Sequence, residues 1–336
     1  MRAPRRIDSD RPGPARAALA VLIATVVASG LASCGSGGTA RDEAVEDDRQ
    51  GSAIADEALV DTGGDVVLRM RTVGPADAAD TLIAVHGGPG LSLEAMEGYE
   101  SLAGPERRVV SYDQRGAGRS SVPGDLDYSL DAQVADLEAI RTALGAESVQ
   151  LLGQSWGGAI AAAYAAVHPD RVDALVLVGA VPLDVEVYLA GQLRFQARVA
   201  ELQQLGIIDD VIPSIDEGSC AAAFSSVLPA YLDEPTSDIS VAVASCTAET
   251  SRATYEAFLA DETVPVHAAE LSTFDSPTLL VAGDNDVFGP DWLERHRELL
   301  GLAPTDSVLI PEAGHLVIAE QPDATLAGIA AFLRQG

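Results

Sequence analysis

Val149-Gln150-Leu151-Leu152 is a short apolar run that passes through Gly153-Gln154-Ser155-Trp156-Gly157 into a stretch of small residues at 160–167. The run reads as a buried strand. The stretch reads as a helix, ended by His168-Pro169. Between them, Gly-x-Ser-x-Gly places a serine on a sharp strand-to-helix turn, which forces its hydroxyl outward at the top of a sheet. Glycines two residues either side are required because larger side chains would collide in so tight a turn. The helix that follows points its N-terminus at negative charge developing beside the serine. In a chain with 31 glycines the bare five-residue pattern is weak. Its place between strand and helix makes it specific.

The same alternation runs outward from this point. Residues 66–70, 81–85 and 108–112 read as strands, 130–144 as a helix stopped at Gly145, and 174–178 as another strand. Continuous apolar strands separated by helices predict a parallel sheet covered on both faces. From 182 to 275 the pattern breaks into helical stretches near 189–205, 221–232 and 243–259, which reads as a helical cap inserted over the sheet. The sheet resumes at 278–282, followed by a helix at 292–300, a strand at 308–310 and a helix at 324–333. The expected division is a core of 57–181 and 276–336 with a cap of 182–275.

The chain has 336 residues, 47% of them apolar, enough to bury a sizeable core. Acids outnumber basic residues 51 to 21, for a formal charge of −30, and every basic residue is an arginine. Such a surface repels phosphate backbones, so nucleic acid is not an expected partner.

A serine hydroxyl needs a base to act as a nucleophile. His315, after strand 308–310 and Pro311-Glu312-Ala313-Gly314, completes the order serine, acid, histidine. Of the other histidines, His296 reads as solvated on a charged helix face and His168 as a helix cap. His267 sits in the cap with no visible partner. Gly283-Asp284-Asn285-Asp286 follows strand 278–282 and offers two aspartates. Asp286 has the spacing that turns a carboxylate back toward the histidine, Asp284 suits an Asx-turn, and Glu312 is an outside candidate. His86-Gly87-Gly88-Pro89-Gly90 follows strand 81–85. No second ligand lies at zinc spacing, and the segment lacks the ending of a phosphate loop. Its small residues suit an oxyanion hole built from the Gly88 and Trp156 N–H groups. His86 is then structural, and neither metal nor organic cofactor is implied.

Together these motifs resemble the α/β-hydrolase superfamily, and most of all its proline iminopeptidase family. The resemblance rests on His86-Gly87-Gly88-Pro89-Gly90, Asp113-Gln114-Arg115-Gly116-Ala117-Gly118-Arg119-Ser120, Gly153-Gln154-Ser155-Trp156-Gly157-Gly158, Gly283-x-x-Asp286 and Gly314-His315, in the family's order. It implies an α/β-hydrolase fold: a mostly parallel eight-stranded sheet, helices on both faces and a helical cap. It also implies release of an N-terminal residue, often proline, from peptides. Gln154 and Gly158 depart from the family, which usually has Gly before the serine and Ser or Thr after the motif. Family cap acids hold the substrate's ammonium. This cap carries 16 acids against three arginines, among them the candidates Glu201, Glu217 and Glu234. A carboxylesterase or other amide or ester hydrolase would share every sheet motif. A serine at the elbow disfavours epoxide hydrolases and dehalogenases, and the complete Ser155, Asp286 and His315 set disfavours an inactive binding scaffold.

The first 16 residues hold five arginines and two aspartates, followed by an uncharged, mostly apolar run to Ser33. That is the layout of a secretory signal over 1–33. Leu31-Ala32-Ser33-Cys34 resembles the bacterial lipobox, which implies lipidation of Cys34 and an extracytoplasmic protein held at the bacterial cell membrane. Residues 34–56, rich in Gly, Ser, Ala and acids, read as a flexible tether. Cys220 and Cys246 remain, and an oxidising compartment predicts a disulfide between them worth about 3–4 kcal/mol in the chain-entropy picture.

Overall fold

The computed structural model describes residues 55–209, 220–237, 239 and 248–334. Its centre is one eight-stranded sheet in the order β1-β2-β4-β3-β5-β6-β7-β8. The strands are β1 (Ala55–Asp61), β2 (Val67–Val73), β3 (Asp80–Val85), β4 (Arg107–Tyr112), β5 (Val149–Gln154), β6 (Val172–Val178), β7 (Thr278–Gly283) and β8 (Ser307–Ile310). The first two join by antiparallel pairing, and every pair from β4 across to β8 is parallel. The expected eight-stranded, mostly parallel sheet is what forms. β1 begins at Ala55, inside the stretch read as tether. Its side chains at 56–59 are exposed, so it carries no apolar run to betray it, and only pairing with β2 makes it a strand.

Period-2 alternation sends neighbouring strand residues to opposite faces. Ile83, Val85, Leu151, Leu175, Leu177 and Leu280 face α1 (Leu130–Ala143), α2 (Trp156–Val167) and α7 (Pro290–Leu300). Leu82, Ala84, Leu152, Val176, Leu279 and Val281 face a 3-10 segment at Leu93–Leu102 and α9 (Pro322–Leu333). Helix limits follow local chemistry. The Ser129 hydroxyl accepts the Ala132 N–H to start α1, and Gly145 and Gly301 take left-handed conformations just past α1 and α7.

The insertion contains α3 (Val185–Gln204), α4 (Cys220–Val227), a 3-10 turn at Leu228–Tyr231, α5 (Ala248–Ala260) and α6 (Val264–Leu271). The last of these belongs to the body: Val264, Ala268 and Leu271 are buried in the core cluster that holds α2. His267 on α6 has a partner after all. Its Nε2 lies 2.7 Å from Asp131 Oδ1 on α1, a contact between residues 136 positions apart that local sequence cannot show. Cys34 and Cys246, the Cys220 side chain and Glu217 lie outside the described residues, and so do the signal, lipobox and most of the tether. Among the described residues no helix is long and apolar enough to cross a membrane.

The Asp113–Ser120 motif is structural. The Asp113 carboxylate, fully buried, accepts the Leu93 and Arg119 N–H groups at 2.8 Å and meets Arg69 at 3.3 Å. Arg115 forms a bidentate pair with Asp136 at 2.8 Å for both contacts and also donates to the Asp127 and Ala132 carbonyls. The motif thus clamps the loop after β4 onto α1.

His296 corrects the sequence reading. It is buried, not solvated, and its Nδ1 lies 3.0 Å from the Trp292 carbonyl. Burial pushes its imidazole down to about 4, with the Trp292 carbonyl opposing. An unfolded chain takes up the proton near pH 6.5, so only the unfolded state gains it as pH falls from there toward 4. The contribution is complete above about pH 6.5 and falls by about 3 kcal/mol by pH 4. Urea unfolding at pH 7 and pH 4.5 checks it: His296→Leu should lose less stability across that interval than the wild type.

Candidate active site

Ser155 directly follows β5, between the loop after β3 and the end of β6. The serine takes φ 53° and ψ −119°, a conformation costing about 1–3 kcal/mol for a residue with a Cβ. Three bonds hold it there. Its N–H donates to the Val178 carbonyl, and its carbonyl accepts from Gly158 and Val181, all at 2.9 Å. Two glycines are forced by close approach. A Cβ on Gly153 would stand 2.6 Å from Gly158 Cα, and one on Gly157 would stand 2.6 Å from the His86 carbonyl oxygen. Gly158, where the resembled family has Ser or Thr, leaves room for Ala180: a Cβ there would lie 2.8 Å from Ala180 Cα.

Asp286 and His315 meet at 2.9 Å, Oδ2 to Nδ1, although they lie 29 residues apart. The second aspartate oxygen accepts the Phe288 N–H at 3.0 Å, which fixes the carboxylate's rotation. A proton on Nδ1 shared with the carboxylate leaves Nε2 as a lone-pair acceptor. That Nε2 is buried and has no hydrogen-bond partner among the described residues. Asp284 is exposed and receives Asn285 Nδ2 at 3.1 Å, and Glu312 is exposed on the loop before the histidine. Neither touches His315. Sequence reading overlooked Gly179, directly after β6. A Cβ there would lie 3.0 Å from His315 Cε1 and 3.4 Å from Asp286 Oδ2, so the pair needs a glycine beneath it. A glycine closing a parallel strand was the available signal.

The 86–90 loop lies against the serine, with the Gly87 Cβ position 3.1 Å from Ser155 Cβ. Gly88 has φ 120°, and its carbonyl accepts the cap's Tyr255 hydroxyl at 2.8 Å. His86 is fully buried: Nε2 accepts the Gln114 N–H at 3.2 Å while Nδ1 faces the Gly87 carbonyl at 2.8 Å. Burial pushes its pKa down, so it stays neutral and structural. Trp156 is buried, its indole N–H reaching Gln133 at 3.3 Å and its ring edge-on to Phe258.

Aromatic side chains collar the histidine. Phe288 lies edge-on to His315 at 4.6 Å, Trp292 at 6.1 Å and Tyr231 tilted at 5.7 Å. Of the cap acids singled out as ammonium holders, Glu201 is exposed and paired with Arg198, and Glu234 is exposed and takes up Thr236. Two cavities flank the site without being lined by Ser155. One of about 260 Å³ lies between Arg198, Leu232, Asp233 and Asn285; another of about 280 Å³ lies behind Asp286 against Trp292 and Leu293. No group of metal-ligating side chains occurs among the described residues.

The pattern of the alpha/beta hydrolase fold family matches residues 80–322. This chain belongs to that family. Within it, the chain is 40% identical to a proline iminopeptidase of Lactobacillus helveticus over 111 residues, 32% of this chain and 38% of that protein. It is 42% identical to one of Lactiplantibacillus plantarum over 111 residues, 32% and 39% of the two chains. The alignment therefore spans under two-fifths of these relatives' length, and the resemblance to proline iminopeptidases holds over that part. Among solved structures, the proline iminopeptidase of Mycobacterium smegmatis superimposes with a TM-score of 0.60 at 24% identity over 83% of this chain and 98% of its own. A putative lipase of Acinetobacter baumannii gives 0.61 at 20% identity over 84% and 91%. This α/β-hydrolase thus shares its fold with enzymes of both kinds.

Proposed function

We propose that this α/β-hydrolase is a serine aminopeptidase that releases proline or another small N-terminal residue from peptides. The observation that carries the reading is the Asp286–His315 pair, whose Nε2 is buried without a hydrogen-bond partner among the described residues, in a fold that sets Ser155 in a strained turn at the end of β5. Ser155 Oγ attacks the first peptide carbonyl while Nε2 takes its proton. Negative charge on the carbonyl oxygen falls to the Gly88 and Trp156 N–H groups. His315 then gives the proton to the leaving amine, and water, deprotonated by the same nitrogen, frees the acyl residue. The Phe288, Trp292 and Tyr231 rings packed around His315 make the surroundings of the base apolar, which suits a small uncharged side chain or a pyrrolidine ring. The chain's charge of −30 favours cationic peptide N-termini. The partial identity to proline iminopeptidases supports the choice of substrate.

The test is a panel of aminoacyl arylamides beside a short-chain p-nitrophenyl ester. Proline arylamide turnover supports the reading. Ester turnover with every arylamide untouched would keep the serine chemistry and overturn the peptidase assignment. We also propose that the mature protein is anchored outside the cytoplasm through a lipid on Cys34. Cys34→Ala should release it to the medium, and unchanged membrane retention would refute the anchor.

A further inference from the structure

Glu320 ends the short helix α8 (Val317–Glu320), five residues after His315. Its Oε2 accepts the Gly314 N–H at 2.8 Å, immediately before the histidine. Its Oε1 accepts the N–H of Asp233, a cap residue, at 2.7 Å. The cap returns the contact directly: the His315 N–H donates to the Tyr231 carbonyl at 2.7 Å. Gly314 admits this approach, since a Cβ there would lie 2.7 Å from the Asp233 nitrogen. Segment 231–233 therefore lies flat on segment 314–315, with one half-buried carboxylate between them.

We propose that Glu320 is a positioning residue that ties the cap to His315, so that the base is held in register only while the cap is seated. This inference rests on the serine-hydrolase reading above. Its physical basis is that a carboxylate is acceptor-only, with one oxygen for each flank. Burial and the neighbouring Asp233 push the Glu320 carboxyl up, while the backbone N–H groups pull it down. Its partners are peptide groups rather than an arginine, so what it fixes is backbone geometry. The Gly314 peptide sets where the imidazole emerges, and a 1 Å error in a catalytic group can cost about 10²-fold in rate. Lifting segment 231–233 would remove a bond from Glu320 and another from His315 itself.

Glu320→Gln tests this. Either amide orientation turns an NH₂ toward a backbone N–H and breaks one of the two links. Turnover of the p-nitrophenyl ester is measured per site titrated with a fluorophosphonate, which counts only folded, reactive enzyme. The expected result is a fall in kcat on the order of 10²-fold with KM little changed. Glu320→Asp keeps the charge but stops a methylene short of spanning both N–H groups, so it should fall in the same way and carries the test if the Gln variant does not fold. A kcat per site within about threefold of wild type, or a raised KM at unchanged kcat, overturns the proposal. Failure of the wild type to label at all would instead sink the serine-hydrolase reading, and the two failures are distinguishable.

Discussion

Ser155→Ala is expected to lower kcat by about 10⁵–10⁶-fold on any substrate the wild type turns over, without loss of fold. Alanine keeps the Cβ, so the backbone strain at φ 53° is unchanged and the bonds to Val178, Gly158 and Val181 persist. Thermal unfolding should match the wild type closely. Ser155→Gly separates strain from chemistry. It removes the Cβ that makes this conformation costly, so it should be equally inactive yet more stable by about 1 kcal/mol. Greater stability in a dead variant is the signature of an elbow held under strain to expose its nucleophile. Measurable turnover in Ser155→Ala above about 10⁻³ of wild type would remove Ser155 from the chemistry.

Asp286→Asn is expected to cost about 10⁴-fold in kcat, because an amide facing Nδ1 no longer selects the tautomer that leaves Nε2 free or stabilises the imidazolium. The Phe288 N–H still has an oxygen to meet, so the loop should keep its shape. Asp284→Asn is the matched control. Asp284 is exposed and touches Asn285 rather than His315, so activity should stay within about threefold. The two variants measured side by side on one substrate decide the assignment. A large loss in Asp284→Asn with little in Asp286→Asn would move the orienting role to the first aspartate.

Much of this is legible in the amino-acid sequence. Strands β3 to β7 are visible as apolar runs because a strand buried on both faces has no polar side to hide it. Gly153 and Gly157 were legible as steric necessities, and the structure places the Gly158 Cα and the His86 carbonyl where their side chains would be. Candidate residues at strand ends were legible because parallel strands separated by helices gather those ends at one edge of the sheet. His296 misled because neighbours in sequence, Arg295 and Arg297, do not share its helix face. Four-residue periodicity puts it beside Trp292 in the core. Segment 264–271 follows cap sequence and falls in the 182–275 range, yet it forms helix α6, whose apolar face is buried beside α2.

The amino-acid sequence by itself determined seven of the eight strands, the helices between them and the three loops that carry the candidate reactive groups, because periodicity, turn chemistry and glycine spacing act within a few residues. Only the tertiary structure decided which groups meet. The pairing of Asp286 with His315, the glycine under that pair, the histidine sealed behind Trp292, the cap tyrosine on Gly88 and the carboxylate shared by Asp233 and Gly314 are contacts between distant segments. Each depends on how closely separate elements approach, a matter of packing that no local pattern records.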